Sequence, residues 1–85
     1  MNKLLTESEI KSIQKILVEE LSVKPDQLTP EALLGVDLGA DSLSQVEIIM
    51  KLEDKFDITI PDEVAEKVKS VKNVYDTVAE MLGRN

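Results

Sequence analysis

The feature that most constrains this chain is the run over residues 42–56, which contains neither glycine nor proline and has apolar residues at helical spacing. At roughly 100° per residue, these positions separate into strips on a helix expected over Ser42–Lys55. The strip predicted to face a core contains Gln45, Ile48, Ile49, Leu52 and Phe56. A helix of this length with one apolar side must pack against other elements.

The opposite side of the same helix also carries apolar residues, mixed with acidic ones. This second strip contains Leu43, Val46, Glu47, Met50 and Asp54, with Glu53 on its flank. One interpretation is partial burial under a loop or a neighbouring helix. The other is a small apolar docking site rimmed by acids, which would fit depressions lined by Arg or Lys on partner enzymes.

Asp41 and Ser42 precede this helix, and both are good N-cap residues. Ser42 and Gln45 also have the spacing of a capping box. The structural interpretation is therefore that Ser42 caps the helix. The functional interpretation is covalent attachment, because a phosphate ester is favoured beside the free N–H groups and positive dipole of a helix N-terminus.

The rest of the chain predicts three more helices and a long first loop, in one domain over residues 1–85. The expected elements are a helix over Glu7–Leu21, a loop over 22–41 with one helical turn near 30–34, a short helix over Asp62–Val68 and a helix over Val71–Met81. Thr6 and Glu9 have capping-box spacing, and Gly83 is a natural stop. The fold class is all-α, a bundle of three longer helices and one short helix.

Composition narrows the function. The chain has 17 acidic and 10 basic residues, a net charge of −7, and no histidine or cysteine. This balance argues against nucleic acid and membrane partners and favours basic proteins. Disulfides and a Ser-His-Asp triad are excluded. No apolar run could span a bilayer or serve as a signal peptide, so we expect a cytoplasmic monomer, with a mature organellar form left open.

Four segments resemble the acyl carrier protein family in order and spacing. They are Asp37-Leu-Gly-Ala-Asp-Ser-Leu43, Val46-Glu47-Ile48, Phe56-Asp57-Ile58 and Ile60-Pro61-Asp62-Glu63. The resemblance covers nearly the whole chain and implies a discrete carrier with an acyl-carrier-like four-helix bundle. It further implies that a phosphopantetheinyl transferase attaches 4′-phosphopantetheine from coenzyme A to Ser42, and that the terminal thiol of this arm holds acyl chains as thioesters.

The resemblance also implies roles for other residues. Around Ser42, Asp41 and Leu43 belong to the attachment motif, and Gly39 lets the loop backbone approach the transferase. Basic docking patches on acyl-chain synthesis enzymes would meet Asp37, Asp41, Leu43, Val46, Glu47, Met50, Glu53 and Asp54. From the apolar pattern we expect a small expandable acyl pocket lined by Ile48, Leu52, Ala65, Val68, Val74 and Val78.

Three other functions fit the residues less well. A calcium loop starting at Asp37 fails, because Gly39, Ser42 and Ile48 replace a ligand, the turn glycine and the bidentate glutamate, and no metal site is predicted. Enzymatic activity is disfavoured because no general base lies near Ser42. The lysines that follow it, Lys51 and Lys55, are turns away along the helix. An unmodified acidic helical adaptor remains an alternative, and a test for phosphopantetheinylation would distinguish it from a carrier.

The long helix departs from the usual fatty-acid pattern at three positions. Ser44 stands where an acid is common, and Lys51 and Lys55 add positive charge. One interpretation is structural, an i,i+4 pair of Lys51 with Glu47 that would partly mask Glu47 from partners. The other is that Lys51 and Lys55 restrict partner choice through like-charge repulsion. These departures leave two pathways open; we favour fatty acid biosynthesis, with a polyketide or other specialised pathway as the alternative.

Overall fold

A computed structural model describes residues 2–84 and confirms the all-α fold class. Its elements are α1 (Glu7–Leu21), a 3₁₀ turn (Pro25–Gln27), α2 (Ser42–Phe56), α3 (Asp62–Ala65) and α4 (Val71–Met81). Within the described residues there is no β-strand, and no helix is long and apolar enough to cross a membrane. The expectation of three longer helices, one short helix and a long first loop is therefore correct.

Side-chain caps set where the outer helices begin. At α1, the Thr6 hydroxyl accepts from the Glu9 amide at 3.1 Å, and the Glu9 carboxylate accepts from the Thr6 amide at 2.8 Å. At α4, Ser70 and Asn73 form the same reciprocal arrangement. Each cap satisfies amides that have no carbonyl partner in a first turn. Gly83 adopts a positive φ of 80° just after α4, as the sequence predicts.

The core is aliphatic apart from one tyrosine, and α4 contributes more buried side chains to it than any other helix. Its fully buried side chains include Ile13, Leu17, Leu34, Ile48, Leu52, Val71, Val74, Tyr75 and Val78. The Tyr75 hydroxyl accepts a hydrogen bond from Gln14 Nε2 at 3.2 Å, which supplies a partner for its one polar atom. α1 and α2 pack against each other, so the apolar strip of α2 faces the core as expected.

The first loop differs from expectation in where its helical turn lies. Residues 30–34 do not form one; the 3₁₀ turn lies earlier, at Pro25–Gln27. Proline is suited to a first helical position, and the Gln27 side chain accepts from the Lys24 amide at 2.8 Å. Two apolar residues of the loop are exposed, Val36 at 84% and Leu33 at 41%.

The same loop is nevertheless fixed to the segment that joins α3 and α4. Leu34 N donates to Lys69 O at 2.9 Å, and an isolated antiparallel bridge joins Leu33 and Ser70. Two further backbone bonds run from Val71 N to Ala32 O and from Lys72 N to Pro30 O, both at 3.0 Å. Leu28, Leu34 and Leu38 anchor the loop in the core.

α3 ends earlier than the sequence predicts, at Ala65 rather than Val68. After it, Lys67 N donates to Val64 O and Val68 N to Ala65 O, which are the i→i−3 bonds of a tight turn rather than an α-helix. Val68 is still buried. The short helix and its turn lie between two connecting segments, next to the first turns of α2.

Candidate functional site

Ser42 is the first residue of α2, and its side chain is exposed. The N-cap is Asp41, whose Oδ1 accepts from the Ser44 amide at 2.8 Å. The prediction of a Ser42–Gln45 capping box is therefore wrong: aspartate caps as well as serine and gains from the helix dipole. The bond from Ser44 also holds the pKa of Asp41 below its ordinary value. Because Asp41 caps the helix, the Ser42 hydroxyl is free for chemistry.

The loop leading into this serine is shaped by local hydrogen bonds. Gly39 has a positive φ of 75°, which glycine adopts without strain, and open space lies where a side chain would begin. Asp37 Oδ2 accepts from the Leu33 amide at 2.8 Å, closing a turn within the loop. One oxygen of Asp37, which we predicted to meet partners, is thus committed to the loop itself.

The second apolar strip of α2 is on the surface. Leu43, Val46 and Met50 are 67%, 55% and 57% exposed, so burial under the loop or α3 is ruled out. Glu47 and Asp54 on the same strip are exposed as well. An apolar surface bordered by carboxylates therefore begins immediately after Ser42 and continues along the helix.

Two charged residues of α2 have partners that the sequence did not indicate. Glu53 Oε2 accepts from the Ile60 amide at 2.8 Å, in a partly buried position, so this carboxylate holds the link between α2 and α3. Lys51 Nζ lies 2.7 Å from Glu20 Oε2 on α1, and this hydrogen bond and charge raise the pKa of Lys51. The predicted Lys51–Glu47 pair is wrong, because the opposing helix offers a closer carboxylate. Glu47 is not masked by such a pair.

A groove of about 470 Å³ opens beside Ser42, between α2 and α3. Its lining is Ser42, Gln45, Val46, Ile49, Met50, Glu53, Ile60, Asp62, Ala65 and Glu66. Beside it is a smaller, partly enclosed inner cavity of about 10 Å³, lined by Leu34, Gln45, Ile48, Ile49, Ala65 and Val68. Gln45, Ile49 and Ala65 belong to both linings, so they form the wall between the open groove and the inner cavity.

The six predicted acyl-pocket residues divide into two groups in the structure. Ile48, Ala65 and Val68 line the inner cavity. Leu52, Val74 and Val78 are buried in the core but line neither space. Ile49 and Ile60, which are not among the six, also line these spaces, and the helical spacing of Ile49 and the apolar pair around Thr59 were visible signals. Leu34 could not be found this way, because its place depends on how the long loop folds back.

Comparison with known proteins identifies the family. A family model described as a phosphopantetheine attachment site matches residues 11–82. The acyl carrier protein of Chlorobium phaeovibrioides is 47% identical over 77 residues, which cover 89% of this chain and 99% of that one. This chain belongs to the acyl carrier protein family. The family consists of carrier proteins rather than catalytic enzymes, and its members interact with the enzymes of acyl-chain synthesis.

Solved structures agree with this fold. A Mycobacterium tuberculosis chain assigned to the acyl carrier proteins has a TM-score of 0.79 at 35% identity, covering 85% of this chain and 96% of its own. A chain in the structure of the ishigamide ketosynthase/chain length factor has a TM-score of 0.75 at 24% identity, covering 92% and 99%. The second likeness shows the fold alone.

The phosphopantetheine domain of acyl carrier proteins carries 4′-phosphopantetheine covalently, and the residues at Ser42 fit that group. The hydroxyl is exposed, is not the N-cap, and borders the groove. First-turn amides without carbonyl partners and the helix dipole favour a phosphodiester there. The group supplies a flexible arm that ends in a thiol, and α2 and α3 provide a surface along which such an arm can lie.

Proposed function

We propose that Ser42 is the attachment point of the arm and that residues 1–85 act as a single carrier domain. In the reaction, Ser42 Oγ forms a bond to the pantetheine-side phosphorus of coenzyme A. The phosphoanhydride bond breaks, adenosine 3′,5′-bisphosphate leaves, and the hydroxyl loses its proton. The observation that supports this proposal is made at the start of α2, where Asp41 caps the helix and the neighbouring Ser42 is exposed.

We place the acyl chain first in the groove and then in the inner cavity. The cavity of about 10 Å³ is no larger than one water-sized probe sphere, so it must expand to admit an alkyl tail. α3 spans only Asp62–Ala65, so few helical bonds oppose its outward movement. Burying the tail would contribute up to about 0.8 kcal/mol per CH₂, less the packing lost on expansion.

Partner enzymes would bind the exposed strip that follows Ser42. Its apolar residues Leu43, Val46 and Met50 supply contact area, and Glu47 and Asp54 supply charge for basic patches. Asp41 adds a third carboxylate near the arm. Among the other predicted partner residues, Asp37 and Glu53 already accept backbone hydrogen bonds, so we assign them smaller parts in docking.

Fatty acid biosynthesis in the cytoplasm is the pathway that we favour. The pairing of Lys51 with Glu20 neutralises one of the two lysines that depart from the fatty-acid pattern, while Lys55 and Ser44 remain. A carrier for a polyketide or other specialised pathway is the alternative that those two residues support. The two pathways can be distinguished by measuring how well purified fatty acid enzymes load the carrier with malonyl and reduced acyl groups. A carrier dedicated to a specialised pathway would be a poor substrate for all of these enzymes.

Intact-mass measurement tests the attachment. Treatment with a phosphopantetheinyl transferase and coenzyme A should add one phosphopantetheine to the wild-type chain and none to Ser42→Ala. Ser44→Ala is the matched control, two positions further along the same helix, and should be modified normally. Circular dichroism should show that Ser42→Ala retains its helices, because the cap is Asp41. Modification that persists in Ser42→Ala would falsify the assignment, and a wild-type chain that stays unmodified would favour the adaptor.

A further inference from the structure

Gln45 is the one polar residue in the lining of the inner cavity. The other five lining residues are aliphatic: Leu34, Ile48, Ile49, Ala65 and Val68. Gln45 also lines the open groove beside Ser42, so its side chain lies where the two spaces meet. An acyl tail that moves from the groove into the inner cavity therefore passes close to the Gln45 amide.

The side-chain amide of Gln45 is available to such a tail. The residue is half-buried, and within residues 2–84 no hydrogen bond occupies its side chain. Its backbone is held separately, because Gln45 N donates to Asp41 O at 3.0 Å. A glutamine amide offers two N–H donors and one oxygen acceptor, so both kinds of hydrogen bond are open to a ligand.

Hydrogen-bond donors are scarce along this path. Among the other polar residues of the groove, Glu53, Asp62 and Glu66 have carboxylates, which can only accept hydrogen bonds when ionised. The Ser42 hydroxyl loses its proton when the arm is attached. Among the described residues that line the groove and the inner cavity, the loaded carrier therefore retains one side-chain donor, Gln45 Nε2.

We propose that Gln45 is a specificity-determining residue whose side-chain amide donates to the 3-oxo group of an acyl chain and holds that group at the entrance to the inner cavity. The inference rests on the proposed attachment at Ser42 and the proposed path of the tail. A carbonyl group buried without a donor is costly, so a 3-oxo chain needs this contact and a saturated chain does not. A 3-hydroxy group can instead donate to the Gln45 oxygen.

The thioester carbonyl of the tail is a second acceptor within the same arm. It is present in every acyl form, so a hydrogen bond from Gln45 to the thioester would support saturated, 3-hydroxy and 3-oxo chains equally. A difference between these chains at constant length therefore reports the substituent on the third carbon, and it separates the proposed contact from a general contact with the thioester.

Two substitutions separate the donor of Gln45 from its acceptor. Gln45→Glu keeps the size and an oxygen acceptor but has no N–H group, and Gln45→Leu removes both functions. Ser44→Ala is the matched control, because it changes the neighbouring polar residue, which lines neither space. A phosphopantetheinyl transferase loads each chain from octanoyl-, 3-hydroxyoctanoyl- or 3-oxooctanoyl-coenzyme A, and intact mass verifies the loading.

Melting temperatures of the acyl forms are then compared within each variant, which cancels the effect of the substitution on the fold itself. Relative to the octanoyl form, the 3-oxooctanoyl form should lose about 4–8 °C in Gln45→Leu and in Gln45→Glu, as expected for one neutral hydrogen bond in a domain of this size. The 3-hydroxyoctanoyl form should show that loss in Gln45→Leu but not in Gln45→Glu, whose carboxylate still accepts. Ser44→Ala should show neither loss.

Nuclear magnetic resonance gives an independent measurement in the unsubstituted protein, which serves where a variant does not fold. In the ¹⁵N-labelled wild type, the side-chain N–H₂ signals of Gln45 should shift when 3-oxooctanoyl replaces octanoyl. Unshifted signals, or equal losses for all three acyl forms in Gln45→Leu, would overturn the proposal. Failure of the proposed function gives a different result: the wild type is not loaded, or all its acyl forms melt with the holo form, and this inference then fails with it.

Discussion

Replacing Glu53 with alanine should destabilise the chain, although its neighbour Asp54 can be replaced at little cost. Glu53 Oε2 accepts from the Ile60 amide at 2.8 Å, and Ile60 is only 4% exposed. Removing the carboxylate leaves that amide without a partner in a buried stretch. A hydrogen bond to a charged group contributes about 1.5–3 kcal/mol. Because Glu53 itself is only half-buried, we expect a loss of about 1–2 kcal/mol.

That loss can be measured as a fall in melting temperature. For a domain of this size, 1 kcal/mol corresponds to about 4–8 °C, so Glu53→Ala should melt about 4–16 °C below the wild type by circular dichroism. Asp54→Ala is the matched control, because its side chain is exposed and surface changes usually stay within about 0.5 kcal/mol. Glu53→Gln keeps an oxygen acceptor without the charge and should lie between the two. Equal melting of Glu53→Ala and Asp54→Ala would refute the structural role.

Three further predictions concern pH, the acyl chain and docking. Arg84 lowers the pKa of Glu9 below its ordinary 4.5, so this stabilisation is complete above that value and lost below it. The melting-temperature gap between wild type and Glu9→Gln should stay constant above the ordinary pKa and narrow as the pH falls below it, and a gap that does not change with pH would contradict this. Melting temperature should rise from holo to hexanoyl or octanoyl forms, then level off. Ala65→Leu should make the melting temperature depend less on acyl chain length. A wild-type melting temperature that does not change with chain length would exclude burial of the tail. Glu47→Lys should slow association with the transferase more than Glu80→Lys on α4, and equal slowing would indicate a net-charge effect.

Helix positions were predictable because their signals are local. Thr6 with Glu9 starts α1, the uninterrupted run after Ser42 forms α2, and Gly83 follows α4, each as the sequence indicates. The apolar spacing of α2 also revealed its second apolar strip. Of the two interpretations of that strip, burial and exposure, the structure shows exposure. In each case the deciding residues lie within a few positions of one another, where propensity and periodicity apply.

The misses depend on contacts between distant parts of the chain. Lys51 pairs with Glu20 rather than Glu47, which follows only from how α1 packs on α2. The Glu53–Ile60 bond needs the path of the link after α2. Asp41 and Ser42 are equally good caps by type, and the loop geometry decides between them. The place of Leu34 in the inner cavity likewise depends on how the first loop folds back.

The backbone bonds between the first loop and the α3–α4 connection have a consequence for biosynthesis. The segment before Ser42 is held by residues near Lys69 and Ser70, which emerge from the ribosome well after the serine itself. A nascent or truncated chain that ends before those residues lacks the contacts that position the loop. The serine therefore reaches its final surroundings only once the chain has been synthesised past residue 72. An enzyme that recognises the finished loop would select chains that extend beyond this connection.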